Sequence, residues 1–305
     1  MTELTISTHV VGDGDDAITY DIQGYLDRVT TERPALFLFG APMDASGFRQ
    51  LAEQFPDRAV VTYDPRGAGR NPTGTADITT EQHVDDIHRV IAALGTGPVD
   101  AFGTSGGAVN LLAAASAHPQ DYHLIVAHEP PSAPLLGDED EVLAIVDDMK
   151  CCYAAQGQGA AMARFIALVM FSGPVPAGYL ERPAPDPAMF GLPVEDDGSR
   201  TDPLFRNMPA IISHRMDVDA LRALGDRLTL AAGTESGETI AARAARAIAA
   251  AIGTPAADFP SHHTGFQDQP GHPGDPVAFG ARLHELVHPP ERGGGPPGRV
   301  GGGGG

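Results

Sequence analysis

Five residues, Gly103-Thr104-Ser105-Gly106-Gly107, carry the pattern Gly-x-Ser-x-Gly. A serine hydroxyl attacks a carbonyl only when a base takes its proton and donors hold the developing oxyanion. A sharp strand-to-helix turn exposes the serine and supplies one of those donors. Glycines on either side let strand and helix cross closely, and Ser105 sits at the tip in a strained conformation. The Gly106 N–H then points at the oxyanion, helped by the dipole of the helix it opens. Three fixed letters decide little in a chain with 37 glycines, where an ordinary glycine-rich turn reads the same way. The flanks decide more, because Val99–Phe102 reads as a strand and Ala108–Ala117 as a helix.

A second oxyanion donor belongs on the loop after the third strand. That loop is Phe39-Gly40-Ala41-Pro42-Met43, which makes the Ala41 N–H the first choice and Met43 the alternative. The base belongs late in the chain, after a strand, and histidine suits it because its pKa lies near neutrality. Ser261-His262-His263-Thr264-Gly265-Phe266 holds two candidates, and the spacing to Gly265-Phe266 favours His263 over His262. His272 is a third candidate. His83, His88 and His118 read as surface or cap residues. The acid that orients the base should follow the strand Leu228–Ala232, where Gly233-Thr234-Glu235-Ser236 places Glu235. Glu129 competes from the end of the preceding strand. The two prolines after it hold it rigidly, as a triad acid or a pocket ligand. Asp226 precedes its strand, on the wrong side of the sheet.

The elements that would position these groups alternate. Leu4–Val10 and Ala17–Gly24 read as strands around the turn Gly12-Asp13-Gly14. Strands 35–39 and 59–63 follow, the first a continuous apolar run of the kind buried on both faces. Thr80–Leu94 is a helix, with a capping-box pattern at Thr79 and Gln82, apolar residues at helical spacing and Gly95 at its end. After the elbow helix, 106–117, come strand 124–127 and then a break in the rhythm over 131–215. That stretch holds helical pieces at 139–155 and 160–171 and a Pro-rich segment, 173–193. The alternation resumes with strand 228–232, helix 238–252, strand 257–259 and a helix near 276–287. Such alternation predicts an α/β fold with a mostly parallel sheet and helices on both faces. The stretch 131–215 is then an insertion above the carboxyl ends of the strands, a helical cap, and 1–130 with 216–288 is the core. Residues 289–305, rich in Gly and Pro, read as a disordered tail.

Composition narrows the function. The chain has 305 residues, 42% hydrophobic, and a formal net charge of −20. That charge repels phosphate backbones and anionic membranes, so nucleic acid and membrane are not expected partners, and a small-molecule substrate is. No apolar run reaches the length of a membrane span, and no basic-then-apolar leader opens the sequence, so the expected location is cytoplasmic. The two cysteines, Cys151 and Cys152, are adjacent, read best as reduced residues in a helix, and cannot form a four-ligand zinc site by themselves.

Taken together, Gly40-x-Pro42, Tyr63-Asp64-x-Arg66-Gly67-x-Gly69, Gly103-x-Ser105-x-Gly107 and His263-x-Gly265-Phe266 resemble the α/β-hydrolase superfamily over about residues 15–288. The pattern looks most like its capped serine hydrolases of actinobacterial type. The resemblance implies an eight-stranded sheet, no metal and no cofactor, and cleavage of an ester, lactone, amide or carbon–carbon bond through an acyl-serine. It also implies that Asp64 and Arg66 belong to a structural loop. Two departures stand out: Phe39 where the family usually has histidine, and a glutamate where the acid is more often aspartate. A cofactor-free haloperoxidase, perhydrolase or lyase would use the same site, since fold does not fix chemistry. A non-catalytic small-molecule binding protein would keep the pocket without needing the base and acid. Met149, Met162, Phe165, Met170 and Phe171 would wall the pocket or pack the cap. The sequence leaves open the substrate and whether the chain forms a homodimer.

Overall fold

The computed structural model describes residues 5–288. The N-terminal four residues and the Gly/Pro-rich segment 289–305 lie outside the described residues. Eight strands form one sheet: β1 (Ile6–Val11), β2 (Ile18–Gln23), β3 (Leu36–Phe39), β4 (Val60–Tyr63), β5 (Val99–Thr104), β6 (Tyr122–His128), β7 (Leu228–Gly233) and β8 (Ala257–Phe259). Their order is β1-β2-β4-β3-β5-β6-β7-β8. The β1–β2 and β2–β4 pairs are antiparallel, and every pair from β4 onward is parallel. The chain moves outward from β3 to β4 and then returns past β3 to β5. Loops leaving β3 and β5 therefore diverge at the carboxyl ends of adjacent strands, where open α/β sheets form a ligand crevice.

Alternation along the strands builds two cores. Phe37 and Phe39 face one side with α2 (Thr80–Leu94), α3 (Gly106–Ala117), α6 (Val218–Ala223) and the Ile248–Ile252 end of α7 (Ile240–Ile252). Leu36 and Leu38 face the other with α1 (Arg49–Ala52) and α8 (Pro276–Val287). Helix α2 starts and stops as its sequence predicts. Thr79 and Gln82 make both capping-box bonds, and Gly95 closes the helix at φ 66°.

Between β6 and β7 the chain forms α4 (Glu139–Val169), α5 (Pro203–Ser213) and α6. The two helical pieces expected at 139–155 and 160–171 are halves of α4, joined across Gly157 at φ 83° and ψ −172°. A side chain at Gly157 would collide with Asp196, and one at Gly159 with the Pro193 carbonyl, so the glycines admit the 193–196 segment against the bend. Helices α5 and α6 carried too little pattern to be anticipated: Pro209 lies inside α5, and α6 has six residues. The apolar faces of α4 and α5 form a further cluster with Ala41 and Val109, tying this region to the mouth of the β3/β5 crevice. No helix among the described residues is long and apolar enough to cross a membrane.

Candidate active site

Strand β5 carries Gly103 and Thr104 straight into Ser105, which caps α3 at φ 55° and ψ −132°. A non-glycine residue there holds about 1–3 kcal/mol of backbone strain, so its surroundings must fix it. They do: Ser105 N–H donates to the His128 carbonyl at 3.0 Å, and the Ser105 carbonyl accepts from Ala108 N–H at 2.9 Å. The flanking glycines have steric causes. A Cβ on Gly103 would lie 2.9 Å from the Gly107 carbonyl, and one on Gly107 2.5 Å from Gly40 Cα. One on Gly106 would meet the Ala41 carbonyl at 2.5 Å and Ile211 Cδ1 at 2.7 Å. The elbow and the loop after β3 are therefore in backbone contact, and both N–H candidates, Ala41 and Gly106, sit at that contact. Among the described residues, the N–H groups of Ala41, Gly106 and Met43 donate to no protein acceptor. The Met43 side chain packs with Gly47 around the Gln267 amide, which donates to the Gly47 carbonyl at 2.5 Å.

The base candidate is presented by a second strained residue. Ser261, at φ 68°, turns the chain after β8. Gly265 allows the return, since a Cβ there would lie 2.7 Å from Ser261 Cβ, and Phe266 anchors it by stacking on Phe48 at 5.4 Å. His263 is half-buried and its Nδ1 lies 2.6 Å from Glu129 Oε2. His262 turns away, its Nε2 3.0 Å from the Pro273 carbonyl, and the His272 ring packs tilted against it at 4.1 Å.

The acid expected at Glu235 is corrected by this geometry. Glu235 is exposed, and its backbone N–H, not its carboxylate, reaches back to the Ser261 carbonyl. The carboxylate on His263 is that of Glu129, one residue beyond β6, fully buried and at φ 49°. Its N–H donates to the Ala231 carbonyl, and Oε1 accepts from Gly233 N–H at 2.8 Å. The last residue of β7, Gly233, thus supplies a backbone clamp on Glu129, and the carboxylate expected from the following loop does not reach His263. Burial by itself pushes the Glu129 carboxyl upward, but the hydrogen bond from His263 and the neighbouring imidazoles outweigh it and hold the pKa down at about 2. An ionised Glu129 accepts the Nδ1 proton, which leaves the His263 Nε2 lone pair free.

Sequence reasoning gave no role to His128. It is fully buried among Phe102, Phe259 and Phe279, with Nδ1 3.1 Å from Thr104 Oγ1 and Nε2 without a partner. Burial lowers its pKa to about 4, so it is neutral beside Glu129. Only its place next to Glu129 hinted at this. His83 is corrected too: it is no surface residue but is buried, its Nε2 2.5 Å from Asn207 on α5. Among the expected wall residues, Met149 is wholly buried in the helical cluster and Met170 is 72% exposed. Met162, Phe165 and Phe171 are half-buried against that cluster.

The loop after β4 is structural. Asp64 accepts from Ala45 N–H and from Arg70, and Arg66 forks onto buried Asp86 at 2.7 and 3.0 Å. Phe39 cannot anchor its loop by hydrogen bonding and instead packs, fully buried, against Phe37 and Tyr63.

Comparison with known proteins agrees with the architecture. A family model described as alpha/beta hydrolase fold matches residues 34–176. An uncharacterized hydrolase, YraK of Bacillus subtilis (strain 168), is 28% identical over 261 residues, covering 83% of this chain and 88% of that protein. Among solved structures, the enol-lactonase from Burkholderia xenovorans LB400 superposes with a TM-score of 0.60 at 19% identity, covering 89% and 96% of the two chains. MGS-M2, an alpha/beta hydrolase enzyme from a Medee basin deep-sea metagenome library, reaches 0.67 at 15% identity, covering 91% and 96%.

Proposed function

For this chain, which belongs to the α/β-hydrolase superfamily, we propose a serine hydrolase that cleaves an ester, lactone or amide bond of a small molecule through an acyl-serine. One observation carries the reading. A buried carboxylate that stays ionised grips the Nδ1 of His263, whose ring lies 6.3 Å from that of His128, and the His128 carbonyl anchors the strained elbow at Ser105. Ser105 is the nucleophile. Glu129 fixes the tautomer of His263, so Nε2 takes the Ser105 proton as Oγ attacks the carbonyl. The oxyanion is received by the N–H groups of Ala41 and Gly106, both directed by backbone packing rather than by side chains. His263 then protonates the leaving group, and water, activated by the same imidazole, releases the acyl group.

Residues 131–215 act as a helical cap. Ile211 on α5, in contact with Gly106, together with half-buried Met162, Phe165 and Phe171, favours an apolar acyl or alcohol part. The test is labelling with a fluorophosphonate probe. Wild type should be labelled at one site and Ser105→Ala not at all, with p-nitrophenyl ester turnover lost in the same variant. Equal labelling of both proteins would overturn the assignment.

A further inference from the structure

Three residues with ligand-type side chains converge at the far end of the nucleophile helix. His88 comes from α2, His118 is the C-terminal cap of α3, and Asp121 ends the turn Pro119–Asp121 that leads into β6. Helix α3 has 12 residues, so this end lies about 18 Å from Ser105. One ligand atom from each of the three side chains falls within 4.8 Å of the other two. His88 Nδ1 and Asp121 Oδ2 are 2.6 Å apart, and the two imidazoles stack at 4.1 Å and 13°.

We propose that His88, His118 and Asp121 bind one divalent transition-metal ion, of the zinc, nickel or cobalt kind. Two imidazoles and a carboxylate are the donor set these ions prefer, and they discriminate against magnesium and calcium, which take oxygen. An ion about 2.1 Å from each ligand needs ligand atoms roughly 3.4 Å apart, so the widest separation, at most 4.8 Å, closes by no more than about 1.4 Å while the 2.6 Å His88–Asp121 contact opens by about 0.8 Å, both within reach of side-chain rotation. The backbone is already fixed for this. His118 N–H donates to Ala114 and Asp121 N–H to His118, while Arg227 Nη1 holds the Pro119 and Tyr122 carbonyls at 2.9 and 3.0 Å. Asp121 is largely covered, and His88 is 38% exposed, leaving an open side for water to complete the coordination. A chain of net charge −20 favours the arrival of a dication. Two further close histidine pairs, His262 with His272 and His284 with His288, are tilted and are not joined by a carboxylate in a three-ligand group among the described residues. The ion would staple α2, α3 and the start of β6, and it takes no part in the reaction at Ser105.

The test is calorimetric titration of tag-free, chelator-treated full-length protein with zinc chloride and nickel chloride. One saturable site per chain is expected. Affinity should fall at least about tenfold in His88→Gln and in Asp121→Asn, and be unchanged in His284→Gln. Zinc should raise the thermal midpoint of wild type and leave that of Asp121→Asn where it was. On wild type alone, zinc should protect His88 and His118 from diethylpyrocarbonate. Absence of a saturable site, binding unchanged in both ligand variants, or unprotected His88 and His118 would overturn the proposal.

Discussion

Glu129→Gln separates the two candidate acids. Glu129 is wholly buried and its pKa lies near 2 against an ordinary 4.5, so its surroundings favour the charged form by about 2.5 pKa steps even after the cost of burial. At 1.36 kcal/mol per step that is about 3 kcal/mol, or a factor of roughly 300. The same groups, His263 above all, are those the charge acts on when the imidazole becomes imidazolium during attack. Loss of the charge should therefore lower kcat/KM by a factor on the order of 10². A glutamine amide can also turn its NH2 toward Nδ1 and select the wrong tautomer, which extends the loss toward about 10⁴. Glutamine keeps the shape and can still accept from Gly233, so the fold should survive. The assay is hydrolysis of a short-chain p-nitrophenyl ester at neutral pH, with the thermal midpoint of each protein measured alongside. Glu235→Gln, on an exposed side chain, should stay within about twofold of wild type. If a folded Glu129→Gln keeps more than a tenth of wild-type kcat/KM, the reasoning is wrong.

Acid should destabilise the protein in two stages. The unfolded chain takes up a proton at His128 below about 6.5 while the folded protein refuses it until about 4, so stability falls over that window by up to about 3 kcal/mol. Glu129 adds a further loss between about 4.5 and 2, where the unfolded state protonates first. A thermal midpoint that stays flat from pH 7 to 5 would contradict the first stage. Gly107→Ala drives a methyl into Gly40 Cα and within 2.7 Å of the Phe39 carbonyl. It should cost about 1–3 kcal/mol by thermal or urea unfolding and abolish turnover by displacing Ala41. Ile211→Ala should raise the preference for hexanoyl over acetyl esters about tenfold in kcat/KM, by opening space beside Gly106.

The elbow and the turn that presents His263 were legible because strong local rules act there. Val99, Ala101 and Phe102 are buried apolar strand residues, the elbow glycines are demanded by backbone contact, and Phe266 fixes where His263 can stand. Helix α2 was legible to the residue for a similar reason: its start signals, Thr79 and Gln82, and its stop signal, Gly95, are all local. The carboxylate that pairs with His263 was not, because the choice between Glu129 and Glu235 rests on how β6 and β7 register. Ala127 pairs with Leu230 and His128 with Ala231, which brings Gly233 N–H onto the Glu129 carboxylate and leaves Glu235 pointing into solvent. No periodicity within either strand encodes that relation. The shape of the 131–215 region was half legible: the two helical pieces were visible, but their union across Gly157 depends on Asp196 and Pro193, far along the chain.

The β7 clamp on Glu129 carries a consequence for modularity. With the proposed acid, Glu129, following β6 and the proposed nucleophile following its neighbour β5, the turn after β7 reaches the constellation through the Gly233 N–H at its start and the buried Ser236 beside it. The tip of that turn is thereby released from sequence constraint. Gly237 is exposed, and a side chain there meets nothing within 4 Å, although its φ of 55° favours glycine or asparagine. It marks a port at which a peptide tag or a small domain could be spliced into the chain without touching the chemistry, at the cost of only a modest loop-closure entropy.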